Sequence, residues 1–154
     1  MSEFYVVCMR YEGEPPAAVT ARFEPFSERY ADEYIRLYNE AFREMRKALD
    51  IKPYDFYTDI SQLRQTADNT LLLLDNDSIA GAVSTYGGEL DDLFVSAGFQ
   101  GRGLGRLLLR EGMRRILGGA HGAVTLHAAE WNTRATALYS SEGFTVIERE
   151  HIII

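Results

Sequence analysis

The chain has 154 residues, 46% of them hydrophobic and 25% charged, with a formal net charge of −7. That is enough for one domain with its own core, and it argues against disorder. The single cysteine, Cys8, excludes an internal disulfide, and no Cys/His spacing suggests a metal site, so a reducing, cytoplasmic setting and no metal are expected. No apolar run approaches the ~20 residues that span a bilayer. Met1-Ser2-Glu3-Phe4 lacks the basic flank of a secretory signal, so no membrane role is expected. The acidic balance discourages nucleic-acid binding. Residues 100–117 depart from it: Arg102, Arg106, Arg110, Arg114 and Arg115 stand against Glu111 alone, giving +4 here and −11 elsewhere. Such an island suggests an anion held at one place, or an arginine-rich solvated helix face.

Residues 4–10 and 17–24 read as strands around the break Gly13-Glu14-Pro15-Pro16. Ser27 is placed to cap a helix running to about Ala48, whose apolar row Tyr30, Tyr34, Tyr38, Phe42, Met45 has helical spacing. A loop with Tyr54, Phe56 and Tyr57 follows, then a short helix over 59–67. Thr70–Asp75, Ile79–Tyr86 and Glu89–Val95 read as strands joined by the turns Asn76-Asp77 and Gly87-Gly88. Turns this close make them antiparallel neighbours. Beyond residue 96 the pattern becomes a helix over Gly103–Leu117, a strand over Ala123–Ala128, a helix over Asn132–Ser141 and a last strand over Phe144–Ile154. The order predicts a single domain over 1–154, of α/β (α+β) class. Its sheet is mixed and mostly antiparallel, flanked by helices, with 1–16 as an added strand and turn.

The stretch Val95-Ser96-Ala97-Gly98-Phe99-Gln100-Gly101-Arg102-Gly103-Leu104-Gly105-Arg106 leaves a strand and opens a helix. Glycines let backbone approach a ligand closely, and a helix N-terminus favours negative charge. The pattern is not a dinucleotide fingerprint, because Arg106 stands where the third glycine belongs. Nor is it a P-loop, because Gly105-Arg106-Leu107 replaces the closing Gly-Lys-Ser/Thr. A phosphate cradle or a plain flexible turn remains.

Gln100, Gly103 and Gly105 fit Gln-x-x-Gly-x-Gly, which resembles the acyl-CoA-binding loop of the GNAT superfamily of N-acetyltransferases. Upstream, Glu89–Val95 is similar to that family's fourth strand. Downstream, Asn132 through Tyr139 to Gly143-Phe144 is similar to its Asn-x-x-Ala, Tyr, Gly-Phe helix and strand. The resemblance implies a GNAT fold and acetyl transfer from acetyl-CoA to a primary amine of a small molecule or peptide, by direct attack in a ternary complex. It implies that Gly101, Arg102, Gly103, Leu104, Gly105 and Arg106 hold the pyrophosphate, opened by Gln100. It also implies that the backbone of Leu93, Phe94 and Val95 pairs with the pantetheine arm.

Asn132 then contacts CoA, caps its helix, or does both. Tyr139 protonates the leaving thiolate or packs in the core. Glu89 is the implied general base. Strand alternation puts Glu89, Asp91, Leu93 and Val95 on one face, so Asp91 competes with it, and His127 is a further candidate. Acceptor choice falls to residues 27–67, through Tyr54, Phe56 and Tyr57 or through Tyr30, Tyr34 and Tyr38. The second set has core spacing. The family usually has a seventh strand after the sixth. Here Phe144–Ile154 must fold back, or the strand at 4–10 or a partner subunit must cover the edge, so a homodimer is one expectation. A different reading is a catalytically silent CoA-binding or regulatory module on the same fold.

Overall fold

The structure is a computed structural model and describes residues 2–154. Seven strands, β1 (Glu3–Tyr11), β2 (Phe23–Pro25), β3 (Thr70–Asp75), β4 (Ser78–Tyr86), β5 (Glu89–Val95), β6 (Val124–Ala129) and β7 (Thr145–Ile153), form one sheet in the order β2-β3-β4-β5-β6-β1-β7. All pairings are antiparallel except β5 with β6. The helices are α1 (Ala31–Ala48), α2 (Leu104–Leu117) and α3 (Thr133–Ser141). None of them is long and apolar enough to cross a membrane.

The apolar run of β3 is continuous because both its faces are covered. Leu72 and Leu74 pack under α1 with Tyr30, Tyr34, Tyr38 and Phe94. Leu71 and Leu73 join the opposite cluster, with Leu108, Leu109 and Met113 of α2. Two glycines set how closely α2 lies on the sheet. A Cβ at Gly81 would come within 2.6 Å of both Leu108 and the Phe94 carbonyl, and one at Gly112 within 2.4 Å of Leu90.

Two expectations need correction, one is refined, and one open alternative is decided. The strand at 17–24 shrinks to Phe23–Pro25, because residues 17–22 bury almost no side chain and β1 is taken by other partners. Ser27 makes no side-chain cap; it precedes a single 3-10 turn, Glu28–Tyr30, that leads into α1. The helix near 59–67 is 3-10, Ile60–Gln65, opened by a capping box between Asp59 and Gln62. Finally, Phe144–Ile154 does not fold back. β1 fills the place beside the last strand, lying between β6 and β7 and antiparallel to both. At its start, Ser2 and Ile154 exchange backbone hydrogen bonds of 2.6 and 2.9 Å.

Candidate functional site: a split in the sheet beside a glycine loop

β5 and β6 pair only at Glu89↔Thr125 and Leu90↔Leu126, and then part. The cause lies in β5. Its register with β4 shifts between Ala82↔Phe94 and Ser84↔Asp91, and Asp92 takes a φ of 53°. This is a β-bulge: one extra residue bends the strand and reverses the phase of its side chains. The expected shared face of Glu89, Asp91, Leu93 and Val95 is therefore wrong. Leu93 and Val95 pack on the α2 side, Phe94 on the α1 side, and Asp92 reaches Tyr38 of α1. Two consecutive acids in an otherwise apolar strand were the available sign.

The Ser96 N–H donates to the Ala80 carbonyl at 2.8 Å, so Ser96 and, two residues back, Phe94 turn their backbone groups toward β4. By the same alternation Leu93 and Val95 turn theirs into the split. Those groups have no strand partner on that side. The Val95 carbonyl instead accepts a hydrogen bond from Gln100 Nε2 at 3.2 Å.

The split leads directly to the glycine loop. Gly101 and Gly103 have φ of 81° and 76°, a region that disfavours side chains, and a Cβ at either would meet nothing within 4 Å. Their backbone is open to the outside, and α2 starts at Leu104, so its first-turn N–H groups have no intrahelical acceptors. A groove of about 420 Å³ runs from this loop along Leu93–Val95 to Asn132 and Tyr139. These features fit a phosphate-bearing, extended ligand.

The basic island resolves into ion pairs more than free charge. Glu111, 2% exposed, is held by Arg114 and Arg115 at 3.1 and 2.7 Å. Glu142 takes Arg110 and, at 3.3 Å, Arg106. Arg106 also donates to Ser141 Oγ at 3.0 Å. Of the five arginines, Arg102 alone makes no ion pair among the described residues; its guanidinium lies 5.3 Å from the Phe99 ring centre.

A second space of about 290 Å³ adjoins the groove at Leu93, Asn132 and Tyr139, with Tyr38, Phe42 and Arg46 of α1 on its far wall. Asp91, Asp92 and His127 also line it. Asp92 accepts a 2.9 Å hydrogen bond from the Tyr38 hydroxyl. Burial, and then the neighbouring Asp91, push its carboxyl up to about 6. Asp91 is also raised, by burial first and with Glu89 contributing. Glu89 lies one step back. Its carboxylate meets His127 Nδ1 at 2.6 Å and does not line the cavity, whereas His127 does. The sequence reading set Glu89 and His127 as rivals; the fold makes them a pair.

Asn132 caps α3, its side chain accepting from the Ala135 N–H at 3.2 Å, and it also borders both spaces. Tyr139 borders both as well. Its hydroxyl has no hydrogen-bond partner among the described residues, and burial, then Asp91, push its pKa up to about 12. Of the aromatic residues proposed for acceptor choice, Tyr30, Tyr34 and Tyr57 are core. Tyr38 is core and cavity wall at once. Tyr54 instead donates to Asp50 at 2.6 Å. Asp92 and Arg46 escaped sequence reasoning altogether.

Residues 31–144 match the Acetyltransferase (GNAT) family, and the chain belongs to it. Mycothiol acetyltransferase of Corynebacterium efficiens is 34% identical over 90 residues, which is 55% of this chain and 30% of that protein. The protein of the same name from Corynebacterium glutamicum is 38% identical over 92 residues, with the same coverage. The chain thus spans under a third of the length of these relatives. Among solved structures, a GNAT-family acetyltransferase from Novosphingobium aromaticivorans aligns with TM-score 0.74 at 16% identity, covering 97% of this chain and 62% of that one. One from Colwellia psychrerythraea also gives 0.74, at 9% identity, covering 98% and 56%. At these identities the likeness is one of fold.

Proposed function

We propose that residues 1–154 form a single cytoplasmic transferase domain that moves the acetyl group of acetyl-CoA to a primary amine in a ternary complex. The observation that carries this is the split between β5 and β6 opening beside the glycine loop at the start of α2. The relatives named as acetyltransferases agree with acetyl transfer.

In this reading the N–H groups from Gly101 to Arg106 hold the pyrophosphate, with Arg102 adding charge and Gln100 bracing the loop against Val95. Leu93, Phe94 and Val95 line the pantetheine arm, and the outward backbone groups of Leu93 and the outward N–H of Val95 pair with it. Asn132 orients the arm where it enters the cavity. Acetyl-CoA supplies the activated carbonyl, and the protein supplies position and proton transfer. The amine nitrogen bonds to the acetyl carbon as the carbon–sulfur bond breaks. Asp92 takes the amine proton, a task for which a pKa of about 6 suits it. The His127–Glu89 pair, half exposed, passes that proton to water. Tyr139 gives its hydroxyl proton to the departing sulfur and recovers one from solvent.

Titration calorimetry with acetyl-CoA, CoA and desulfo-CoA, followed by thiol release with a panel of amines, tests the reading. Micromolar binding with turnover supports it. Binding without turnover across the panel favours the silent CoA-binding module. No binding at millimolar ligand reduces the glycine loop to a turn. Within the working enzyme, Glu89→Gln and His127→Asn should lower kcat to a similar extent with acetyl-CoA affinity unchanged. A wild-type kcat in both variants would remove the pair from the mechanism.

A further inference from the structure

The 290 Å³ cavity is lined by side chains of both charges. Asp91 and Asp92 line it from β5, and Arg46 lines it from the last turn of α1. Arg46 is held from two sides: its Nε donates to the Pro53 carbonyl at 2.7 Å, and its guanidinium lies 5.3 Å from the Phe56 ring centre. Both holds leave the two terminal nitrogens uncommitted. Arg46 makes no ion pair among the described residues. The adjacent carboxylate Asp55 is taken by Arg43 at 2.7 Å. Phe4, Phe42 and Ile51 line the same cavity. A fixed guanidinium with free paired N–H groups is matched to a carboxylate. The C-terminal end of α1 carries partial negative charge, which this guanidinium offsets for an incoming anion.

We infer that the acceptor is a small aminocarboxylate with an apolar body: its ammonium meets Asp91 and Asp92, its carboxylate meets Arg46, and its side chain rests on Phe4, Phe42 and Ile51. This rests on the acetyl-transfer reading and narrows it to amino-acid-like acceptors. Neutral amines and polyamines lack the group that Arg46 would bind.

The test uses matched acceptors with the full chain and acetyl-CoA: phenylalanine against phenylalaninamide and phenethylamine, and leucine against 3-methylbutylamine. Carboxylate-bearing members should be favoured at least tenfold in kcat/KM. Arg46→Gln should raise KM for them at least tenfold, leave the decarboxylated amines unchanged, and leave acetyl-CoA affinity unchanged. Calorimetry of phenylalanine and leucine into the CoA complex gives a readout without turnover, and their heat should vanish in Arg46→Gln. Equal or better use of the decarboxylated amines, a uniform loss across the panel in Arg46→Gln, or no amino-acid binding while acetyl-CoA still binds would each overturn the acceptor class and leave acetyl transfer standing. Loss of acetyl-CoA binding in the wild-type protein would remove the reading beneath it.

Discussion

Replacing Asp92 by Asn should stabilise the protein and slow it. The fold raises this carboxyl from 3.8 to about 6, through burial first and Asp91 second, with the Tyr38 hydrogen bond working against them. A native pKa above the unfolded one means that the native state holds the proton more tightly, so the charged form destabilises the fold. The penalty is absent below about pH 4, grows as pH rises from about 4 to about 6, and is constant above that. The gap between 3.8 and about 6, at about 1.36 kcal/mol per pK unit, amounts to roughly 3 kcal/mol at pH 7. Asn preserves what the backbone needs. Its Oδ1 still accepts from the Tyr38 hydroxyl, and Asn tolerates the φ of 53° at this bulge. Asp92→Asn should therefore gain about 2–3 kcal/mol near pH 7.5 and nothing near pH 4, measured by urea unfolding. The same variant should lose about 10²- to 10⁴-fold in acetyl transfer. A gain independent of pH, or a loss of stability near pH 7.5, would refute the argument.

Gly103→Glu should abolish acetyl-CoA binding in calorimetry, because its carboxylate repels phosphate at the cradle. Its Cβ meets no neighbour, so the fold should lose only about 1–2 kcal/mol for the left-handed φ of 76°. Unchanged affinity in this folded variant would reassign the loop. Tyr139→Phe should lower kcat by at least tenfold with CoA affinity intact, and wild type should show no alkaline loss from this group until pH nears its pKa of about 12. A wild-type kcat would make Tyr139 a packing residue. Gly81→Ala should cost more stability than Gly112→Ala, both about 1–3 kcal/mol or more by thermal unfolding. The Gly81 contact includes the Phe94 backbone, whereas Gly112 meets the end of a leucine side chain.

Where local chemistry decides structure, the sequence was a good guide. Thr70–Asp75 and Glu89–Val95 are strands over those same residues, and the cradle glycines sit at the start of a helix. Tyr30, Tyr34 and Tyr38 are buried as their spacing implies. What the sequence hid was set by partners far along the chain. The bulge at Asp92 is a mismatch with β4, and it alone turns Asp92 toward Tyr38 and breaks the period-two reading of the site. Glu89 and His127 meet because β5 and β6 run parallel for two pairs. Arg46 looked like an ordinary residue ending α1; its setting depends on Pro53 and Phe56 in the following loop. The arginine island was open to two readings, and composition could not show that Glu111 and Glu142 pair with four of its five arginines.

The place of β1 bears on how the chain finds its fold. Its registers join Phe4 to Ile152 and Val6 to Ala129, among the longest sequence separations available. Closing such loops is costly in chain entropy, and high contact order slows folding. Two of the seven strands, β1 and β7, therefore wait for both ends of the chain. Yet Ser2 and Ile154 are already hydrogen-bonded neighbours. The same residues, opened between Tyr11 and Phe23 and rejoined from Ile154 to Ser2, would turn the β7–β1 pairing into a local hairpin. That circular permutant should keep the sheet order while refolding faster, with its first and last strands no longer obliged to meet across the whole chain.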